Sequence, residues 1–469
     1  MASLNLLSSL QKRGLISQIT SKAVINGKIG VYLGVDPTAS SLHLGNLMPF
    51  MVLMHFYLNG HRVYPLVGGA TGAVGDPSGR NSERTQLETN KRLNNVNSIT
   101  TQMKNLLTNS AKSASKYLNQ LQYSGAAQDS EVSVCNNLDW WKDMTMLSFL
   151  GNYGRYIRVG TMLAKDSVSQ RMRSESGLGY NEFSYQVMQA YDFYHLYRNF
   201  DCSVQIGGHD QWGNIVSGVD LINRLKSKPD TSSKSISNSN SNLNNSVEPV
   251  EPVEPVEPVE PIGITVPLLL AKNGEKFGKS AGNAVFLDAK LTTAFDMYQH
   301  LLKSPDDMVE TYLKSLTFIP IPIIEEILET HRTDPELRLA QRRLAREVTE
   351  LVHGVSAMES AESISALVFS SDPSITFDAD NILNSFENQG MLTTLPAEKV
   401  VNQKWKQILP TIVNKSKSEV QRLVQSRSIY VGLQKKVVTS NTIENSDIES
   451  NGLLLIRIGK TEYHVVKVV

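Results

Sequence analysis

Residues 29–53 read IGVYLGVDPTASSLHLGNLMPFMVL, and this stretch decides the fold. The apolar residues 29–35 predict a buried strand. After a turn of small residues, apolar side chains recur at helical spacing, which predicts a helix with one apolar face. Gly60 ends that helix, and residues 61–67 predict a second strand. A strand, a helix and a strand in this order indicate a right-handed βαβ unit in a parallel sheet. The predicted helical face consists of Leu44, Leu47, Met48, Met51 and Val52.

The same alternation continues downstream. Residues 184–197 predict a further helix, followed by a strand at 203–206 and the pair Gly207-Gly208. From 294 to 370 the apolar spacing is helical. The last segment, 403–469, carries 11 Lys and Arg against 5 Asp and Glu. Its pattern predicts a helix at 419–426 and strands at 428–431 and 453–458, which together form a small basic α+β module. Such a module at the end of a neutral chain suggests contact with RNA, although many basic patches are only solvated surface.

Length and composition bound the possible functions. A chain of 469 residues, 41% hydrophobic and 20% charged, predicts a globular enzyme of two to three domains. Lys plus Arg and Asp plus Glu each total 46, so a nucleic-acid surface is a local patch and not a property of the whole chain. Two cysteines exclude a disulfide framework and a cysteine-based zinc cluster. No apolar run approaches the roughly 20 residues that span a bilayer, which argues against a membrane role.

Residues 229–262 interrupt the alternating pattern. A Ser- and Asn-rich stretch leads into five consecutive Val-Glu-Pro units, from Val247 to Pro261. Repeated proline blocks both ladder hydrogen bonds and helix, so we predict a disordered or polyproline-like surface loop. Drift in a tolerant loop explains such a repeat better than a partner-binding role.

The N-terminus allows two interpretations. No acidic residue precedes Asp36, whereas four basic residues lie among Ser and Leu, as in an organellar transit segment. Alternatively, the leucines form the first amphipathic helix of the folded domain, and the two interpretations are compatible. The basic residues are Lys12, Arg13, Lys22 and Lys28, and the leucines are Leu6, Leu7, Leu10 and Leu15.

The turn after the first strand carries groups suited to a phosphate chain. It delivers His43, Gly45 and Asn46 to a helix N-terminus, where exposed N–H groups and the helix dipole favour an anion. Gly45 leaves space for a nucleotide, and His43 and Asn46 lie one helical turn apart. Taken alone, this motif also fits an ordinary helix start.

A second cationic segment lies far downstream. Residues 276–280 read KFGKS and place Lys276 and Lys279 on a loop, where they can neutralise a triphosphate and stabilise the leaving pyrophosphate. Taken alone, this segment fits a solvated basic turn. Arg80 and Arg84, after the glycine-rich residues 68–72, are further candidates to bind the same phosphates.

Together these segments resemble the class I aminoacyl-tRNA synthetases. Residues 43–46 are similar to the HIGH signature and residues 276–280 to the KMSKS signature of that class. Four longer strings resemble tyrosyl-tRNA synthetases of the bacterial and mitochondrial type, in particular those of fungal mitochondria. They are 32–46, 66–84 (LVGGATGAVGDPSGRNSER), 183–194 (FSYQVMQAYDFY) and 205–214 (QIGGHDQWGN).

The resemblance implies an α/β fold with three domains. A Rossmann-like parallel-sheet catalytic domain covers 1–293, with the disordered insert at 229–262. A helical domain at 294–370 faces the anticodon stem, and a linker follows at 371–410. Residues 411–469 resemble the small α+β RNA-binding domain named for ribosomal protein S4.

The resemblance also implies a pocket for tyrosine. Tyr185, Gln189 and Asp192 share one face of a predicted helix, at i, i+4 and i+7. By itself such a stripe indicates a solvated face. By resemblance, Tyr185, Gln189 and Asp76 bind the α-ammonium group, and Asp192 and Tyr32 bind the phenolic hydroxyl. A pocket that hydrogen-bonds this hydroxyl rejects phenylalanine, which leaves buried polar groups unpaired.

The remaining site residues follow from the same resemblance. Gln211 lies near the tyrosine carboxylate or the reaction centre. No general base is needed, because the tyrosine carboxylate attacks the α-phosphate directly. Mg²⁺ arrives on the nucleotide, and no protein metal site is expected. The ATP-binding set is Gly34, Asp36, His43, Gly45, Asn46, Gly208, Asp210, Leu269, Lys276 and Lys279, and the catalytic set is His43, Asn46, Lys276, Lys279, Ser280, Arg80 and Arg84.

Three positions depart from the family pattern. Asn46 stands where many relatives have a second histidine, and it keeps a hydrogen-bond donor. Arg80 stands where lysine is common, which keeps the charge and changes its geometry. His209 replaces a small residue. None of the three removes a required group.

The resemblance implies a tyrosine–tRNA ligase with ATP as substrate and tRNA(Tyr) as partner, working as a homodimer. The expected compartment is the mitochondrial matrix, or the cytoplasm of a bacterium. One alternative is a tryptophanyl-tRNA synthetase, which Asp192 and Tyr32 argue against because they suit a phenol better than an indole. The other is a synthetase-derived RNA-binding or intron-splicing factor, which a complete catalytic set does not exclude as a second role.

Overall fold

The computed structural model describes residues 2–21, 27–78, 87–123, 132–175, 177–226, 259–269, 284–369, 383, 386–387, 392–413, 415–432, 436–449, 452–459 and 462–469. Among the predicted site residues, Arg80, Arg84, Lys276, Lys279 and Ser280 lie outside these ranges, as does most of the insert. The chain divides into two compact units. The first comprises Met1–Phe286 and Thr311–Ile324, and the second Leu287–Glu310 and Glu325–Val469.

The first unit contains a six-stranded sheet with the order β1-β6-β5-β2-β3-β4. Strands β2 to β6 pair in parallel, and β1 pairs antiparallel with β6 at one edge. The six strands are β1 Gln18–Ile19, β2 Gly30–Val35, β3 Arg62–Val67, β4 Cys135–Asn136, β5 Cys202–Gly208 and β6 Ile262–Val266.

Helices alternate with these strands along the chain, and further helices follow as far as residue 369. The first eleven α-helices are α1 Ala2–Lys12, α2 Leu44–Leu58, α3 Thr71–Val74, α4 Thr89–Ala114, α5 Leu118–Leu121, α6 Leu138–Trp141, α7 Met146–Asn152, α8 Val159–Leu163, α9 Asp166–Met172, α10 Tyr180–Phe200 and α11 Trp212–Lys226. The next five are α12 Ala294–Leu302, α13 Asp306–Leu316, α14 Ile321–Thr333, α15 Leu339–His353 and α16 Val355–Phe369.

The predicted βαβ unit is confirmed. Strand β2 pairs in parallel with β3, with Gly30 opposite Arg62, and α2 connects them. The prediction of a single apolar face on α2 is too narrow, because the structure buries 12 of its 15 residues. A helix that is apolar all round packs in the interior of a domain, and α2 is such a helix.

The N-terminal leucines belong to the folded unit. Leu6 and Leu10 are buried on α1, whereas Leu15 is buried beyond the end of that helix. Next to them Arg13, also buried, donates to the carbonyl oxygens of Thr317 (3.0 Å) and Ile319 (2.7 Å). The helical interpretation is therefore confirmed, with Leu15 as an exception.

The end of the insert is ordered earlier than predicted. Ile262, assigned to the insert from its sequence, is the first residue of β6 and is buried beside Ile264 in the parallel sheet. An isoleucine after the last proline can donate to the ladder, so the strand begins there.

The second unit ends in a five-stranded sheet with the order β7-β11-β10-β8-β9. Strand β7 pairs in parallel with β11, and the other pairs are antiparallel. Two helices accompany the sheet. The elements are β7 Leu392–Leu395, α17 Trp405–Ile412, α18 Lys417–Gln425, β8 Ile429–Val431, β9 Lys436–Val437, β10 Leu453–Ile458 and β11 Glu462–Val468.

This arrangement corrects the predicted linker at 371–410. Its last part supplies β7 and most of α17, and Trp405 and Leu409 pack into the same hydrophobic core as Val420 and Leu454. The module therefore begins at or before Leu392. Its first strand reads LTTL and is partly exposed at the sheet edge, so its sequence does not look like a strand.

Candidate active site

One cavity of about 630 Å³ opens in the first unit. The residues at the carboxyl ends of β2, β5 and β6 line it, together with the start of α2 and one face of α10. In open parallel sheets, ligands bind at this edge. The cavity brings together every predicted site residue within the described ranges: Tyr32, Gly34, Asp36, His43, Gly45, Asn46, Asp76, Tyr185, Gln189, Asp192, Gly208, Asp210, Gln211 and Leu269.

The start of α2 forms one wall of the cavity. The backbone N–H of Asn46 donates to the carbonyl of His43 (2.8 Å), and the backbone N–H of His43 donates to Asn46 Oδ1 (3.0 Å). The Asn46 side chain therefore caps the helix with its oxygen, which leaves its amide nitrogen as the donor. On β5, a Cβ at Gly208 would lie 2.7 Å from Asp210 Oδ1, so only glycine leaves that carboxylate in place.

Helix α4 braces the turn before α2. Gln102 Oε1 accepts hydrogen bonds from the backbone N–H of Leu42 (2.9 Å) and from Ser41 Oγ (3.1 Å), and its Nε2 donates to the carbonyl of Ser40 (3.1 Å). Two turns earlier on α4, the buried Asn95 donates to the carbonyl of Pro37 (3.0 Å). The sequence analysis missed both residues, because polar positions on a largely polar helix carry no visible signal.

Asp36 lies between two hydroxyl donors. Thr71 Oγ1 donates to its Oδ1 (2.7 Å) and the Tyr185 hydroxyl donates to its Oδ2 (2.9 Å). Burial first, and then the charges of Asp36 and Asp76, raise the pKa of Tyr185 well above its usual value. Tyr185 therefore stays neutral, and its hydroxyl donates to the carboxylate of Asp36, the residue after β2.

A chain of amides connects α10 to the helix after β5. Gln211 Nε2 donates to Asp76 Oδ2 (2.8 Å), and Asn214 Nδ2 is within reach of both Gln211 Oε1 (3.3 Å) and Gln189 Oε1 (3.1 Å). Asn214 was not predicted as a site residue. It lies within a quoted string, but it is buried behind the cavity wall and bonds the residues that line it.

The opposite end of the cavity contains Asp192 and Tyr32. Asp192 is 3% exposed and accepts three hydrogen bonds, from Asn137 Nδ2 (3.0 Å), Trp140 Nε1 (2.8 Å) and Trp141 Nε1 (2.7 Å). Burial raises the pKa of Asp192 to about 6, against the lowering effect of these donors. The Tyr32 hydroxyl is buried and has no hydrogen-bond partner among the described residues.

The two ends of the cavity therefore suit different chemical groups. At one end, a helix N-terminus and glycine-flanked backbone suit the phosphates and ribose of a nucleotide. At the other, a carboxylate and an unpartnered hydroxyl suit a buried polar group that both donates and accepts, such as a phenol. These features define a nucleotide-binding enzyme of the Rossmann type that also binds a small polar aromatic molecule.

Comparison with known proteins narrows that class. Residues 25–370 match the family described as "tRNA synthetases class I (W and Y)". The chain is 40% identical, over 99% of its length and 89% of the relative, to the mitochondrial tyrosine–tRNA ligase of Saccharomyces cerevisiae. It is 37% identical to tyrosine–tRNA ligase 2 of Bacillus cereus, over 99% of this chain and 100% of the relative.

A solved structure agrees with these relatives. The C-terminally truncated mitochondrial tyrosyl-tRNA synthetase of Aspergillus nidulans is similar with a TM-score of 0.66 and 35% identity, over 78% of this chain and 94% of that one. The chain belongs to the tyrosyl-tRNA synthetases of class I.

Proposed function

We propose that the protein activates L-tyrosine with ATP to tyrosyl-adenylate and pyrophosphate, and then transfers the tyrosyl group to the 3′-terminal adenosine of tRNA(Tyr). The observation that carries this proposal is that Asp192 and Tyr32 both line one end of a cavity whose other end is the start of α2. The names of its relatives as tyrosine–tRNA ligases support the same activity.

We assign the binding roles from the family resemblance, and the position of these side chains around one cavity supports the assignment. The phenolic hydroxyl of tyrosine donates to Asp192 and accepts from Tyr32. The ammonium group lies against Asp76, Gln189 and Tyr185. Gln211, which already bonds Asp76, faces the tyrosine carboxylate. The resulting pocket suits a phenol, which is why we favour tyrosine over tryptophan as substrate.

The nucleotide occupies the other end of the cavity. Gly34, Asp36, Gly208 and Asp210 surround the ribose and phosphates, and Leu269 contacts the adenine. The Asn46 amide and His43, at the α2 N-terminus, stabilise negative charge on the phosphates.

Activation then needs orientation more than acid–base chemistry. The tyrosine carboxylate attacks the α-phosphate, a bond forms between that oxygen and phosphorus, and pyrophosphate leaves. We assign Lys276, Lys279, Ser280, Arg80 and Arg84 to the leaving pyrophosphate on their sequence motifs. We assign Mg²⁺ to the nucleotide phosphates, because the cation usually binds through substrate phosphates in such reactions.

We assign tRNA binding mainly to the C-terminal module and propose that it is an S4-like domain that includes residues 392–410. Its small sheet, two helices and surplus of basic residues support this assignment. The helices between 294 and 370 would then face the anticodon stem. Among the described residues of the module, the exposed basic side chains are Lys399, Lys404, Lys406, Lys417, Arg422, Arg427, Lys436 and Lys467.

We propose that a second copy of the chain covers the apolar side chains that two helices of the first unit expose. Helices α7 and α8 expose five large apolar side chains, a concentration that monomers seldom leave in water. These are Met146 (62% exposed), Leu147 (85%), Leu150 (49%), Val159 (59%) and Leu163 (41%). We therefore propose a homodimer that buries this surface.

We propose the mitochondrial matrix as the compartment. The relatives from Saccharomyces cerevisiae and Drosophila melanogaster are both named mitochondrial enzymes, whereas the Bacillus relatives keep the bacterial cytoplasm as the alternative. Among the described helices, none is long and apolar enough to cross a bilayer.

ATP–pyrophosphate exchange tests the activation step, with tyrosine, phenylalanine and tryptophan compared in parallel. Exchange with tyrosine alone supports the assignment, and charging of tRNA(Tyr) tests the second step. Exchange with tryptophan would move the protein to the tryptophanyl enzymes. Folded protein that binds RNA without any exchange would indicate a synthetase-derived RNA-binding or splicing factor.

A further inference from the structure

Trp141 connects the surface of the first unit to the phenol end of the cavity. Its indole Nε1 donates to Asp192 Oδ1 at 2.7 Å, and the adjacent Trp140 donates to the same oxygen at 2.8 Å. Asn137 donates to the other oxygen, Oδ2, at 3.0 Å. Two consecutive tryptophans on the short helix α6 thus converge on one carboxylate oxygen.

The number of acceptor sites on Asp192 shows how many remain for a ligand once the two indoles are bound. An ionised carboxylate has about four lone-pair directions, two on each oxygen. The two indoles occupy both directions on Oδ1, and Asn137 occupies one on Oδ2. One acceptor direction therefore remains, on Oδ2. The Tyr32 hydroxyl and Gln205 Oε1, both of residues that line the cavity, are buried polar atoms without a hydrogen-bond partner among the described residues.

We propose that Trp141 is a positioning residue for amino-acid selectivity: with Trp140 it saturates Oδ1, so Asp192 offers a single acceptor, on Oδ2, to the phenolic hydroxyl. This inference rests on the proposed function and adds a residue to it. An amino acid without a para hydroxyl gains nothing from this acceptor and leaves it unpaired in a buried site. A saturated Oδ1 also prevents the carboxylate from turning away from the cavity.

A purely structural role for Trp141 makes different predictions. Its ring also packs against Phe149, with centroids 5.3 Å apart, and against Tyr191, at 5.0 Å. If packing alone mattered, loss of the ring contacts would disturb the cavity for every amino acid alike. The indole N–H, in contrast, acts on tyrosine and leaves phenylalanine unaffected.

The acceptor role also predicts a dependence on pH. The ionisable groups that interact with Asp192 are Tyr32 on β2, Asp36 after it, and Tyr185 and Tyr191 on its own helix. Burial raises the pKa of all three tyrosines, so none ionises near neutral pH. Protonation of Asp192, whose pKa is about 6, places a proton on Oδ2, because the indoles hold Oδ1, and removes the charge that strengthens the hydrogen bond from the phenol. Tyrosine use therefore declines as pH falls through that value. Loss of one N–H donor raises this pKa and moves the decline to higher pH.

The test compares the full-length protein with Trp141→Phe and Phe149→Leu in ATP–pyrophosphate exchange between pH 5.5 and 8. Trp141→Phe keeps an aromatic ring and removes the donor, whereas Phe149→Leu disturbs the packing and keeps the donor. We expect Trp141→Phe to lower kcat/KM for tyrosine about tenfold at pH 7, the scale of one hydrogen bond to a charged group. We expect kcat/KM for phenylalanine to stay unchanged. The pH at which kcat/KM for tyrosine begins to fall on the acid side should move upward.

A second variant isolates the N–H from the ring shape. Replacement of Trp141 by 3-benzothienylalanine keeps a bicyclic ring without an N–H donor, and we expect it to reproduce the loss for tyrosine. Equal losses for tyrosine and phenylalanine, an unmoved acid limb, or the same profile in Phe149→Leu would overturn the inference. Absence of tyrosine exchange in the unaltered protein would instead contradict the proposed function, so the two failures are distinguishable.

Discussion

Tyr32 has a buried hydroxyl that the folded protein does not pair within the described residues. Since an unpaired buried hydroxyl costs about 1–3 kcal/mol, its removal should not weaken the fold. We expect Tyr32→Phe to leave the free energy of unfolding unchanged or higher, and to raise the KM for tyrosine about tenfold. Equilibrium denaturation and pyrophosphate exchange measure the two quantities.

Tyr185 provides the matched control for this change. Its hydroxyl donates to Asp36 at 2.9 Å, so Tyr185→Phe leaves a half-buried carboxylate oxygen short of a donor. That variant should lose about 1–2 kcal/mol of stability, unlike Tyr32→Phe. Equal destabilisation by the two substitutions would show that Tyr32 is paired in solution and that its hydroxyl has a structural function.

The difference between these residues and their neighbours explains what the sequence can predict. The roles of Tyr32, Tyr185 and Asp192 follow from the family resemblance, and the helical spacing adds that Tyr185 and Asp192 share one face, because a regular helix fixes the direction of each side chain. Asn137 and Trp141 lie in and beside the four-residue helix α6, where no period exists. Their approach to Asp192 is set by tertiary packing, which the sequence does not display.

At the scale of elements, α4 positions the turn that precedes α2. Gln102 makes three hydrogen bonds to residues 40–42, which line or adjoin the nucleotide end of the cavity. We expect Gln102→Ala to lower kcat/KM for ATP about tenfold, because the turn loses its alignment, with the KM for tyrosine nearly unchanged. Exchange kinetics with each substrate varied in turn provide the measurement.

The preceding residue on α4, Thr101, supplies the control for this effect. Thr101 is exposed and bonds only within its helix, to the carbonyl of Asn97, so Thr101→Ala changes α4 without touching the turn. It should leave both kinetic constants unchanged. If Gln102→Ala raised the KM for tyrosine as much as that for ATP, α4 would support the whole cavity and not the turn alone.

The two ends of the insert lie close together. Lys226, the last residue of α11, donates through Nζ to the carbonyl of Val259 (2.8 Å), and the Tyr197 hydroxyl donates to the same oxygen (2.9 Å). A short chain can therefore connect them. We expect replacement of 227–258 by a six-residue Gly-Ser linker to preserve exchange and charging, and each halving of loop length favours folding by about 0.6 kcal/mol. Loss of charging alone would assign the Val-Glu-Pro repeat a role in RNA binding.

Elements also show where composition misleads. The sequence of α2 predicts its existence but not its burial on all sides, because burial depends on what packs against its second face. The sequence predicts a linker where β7 lies, because the stretch after residue 370 is polar and irregular in its spacing. It becomes a strand because the edge of β11 offers it a parallel partner.

At the scale of the whole molecule, residues 392–413 belong to the C-terminal module, and this decides where the chain can be divided. Val400, Trp405, Leu409 and Val413 share one hydrophobic core with residues after 416, including Val420. A cut after 415 would leave these four side chains in water, whereas a cut after 391 removes the module as a unit. The similar Aspergillus nidulans enzyme was solved in a C-terminally truncated form.

We therefore expect a chain that ends at 391 to be soluble and to retain tyrosine-dependent pyrophosphate exchange. It should lose tRNA charging, because the exposed basic residues of the module are gone. A chain that ends at 415 should aggregate on size-exclusion chromatography, since about 25 cal/mol per Å² of exposed apolar surface then favours association. If the shorter chain still charged tRNA at the full rate, the principal RNA contacts would belong to the helices between 294 and 370. If it lost exchange as well, the module would be needed for the fold of the catalytic unit.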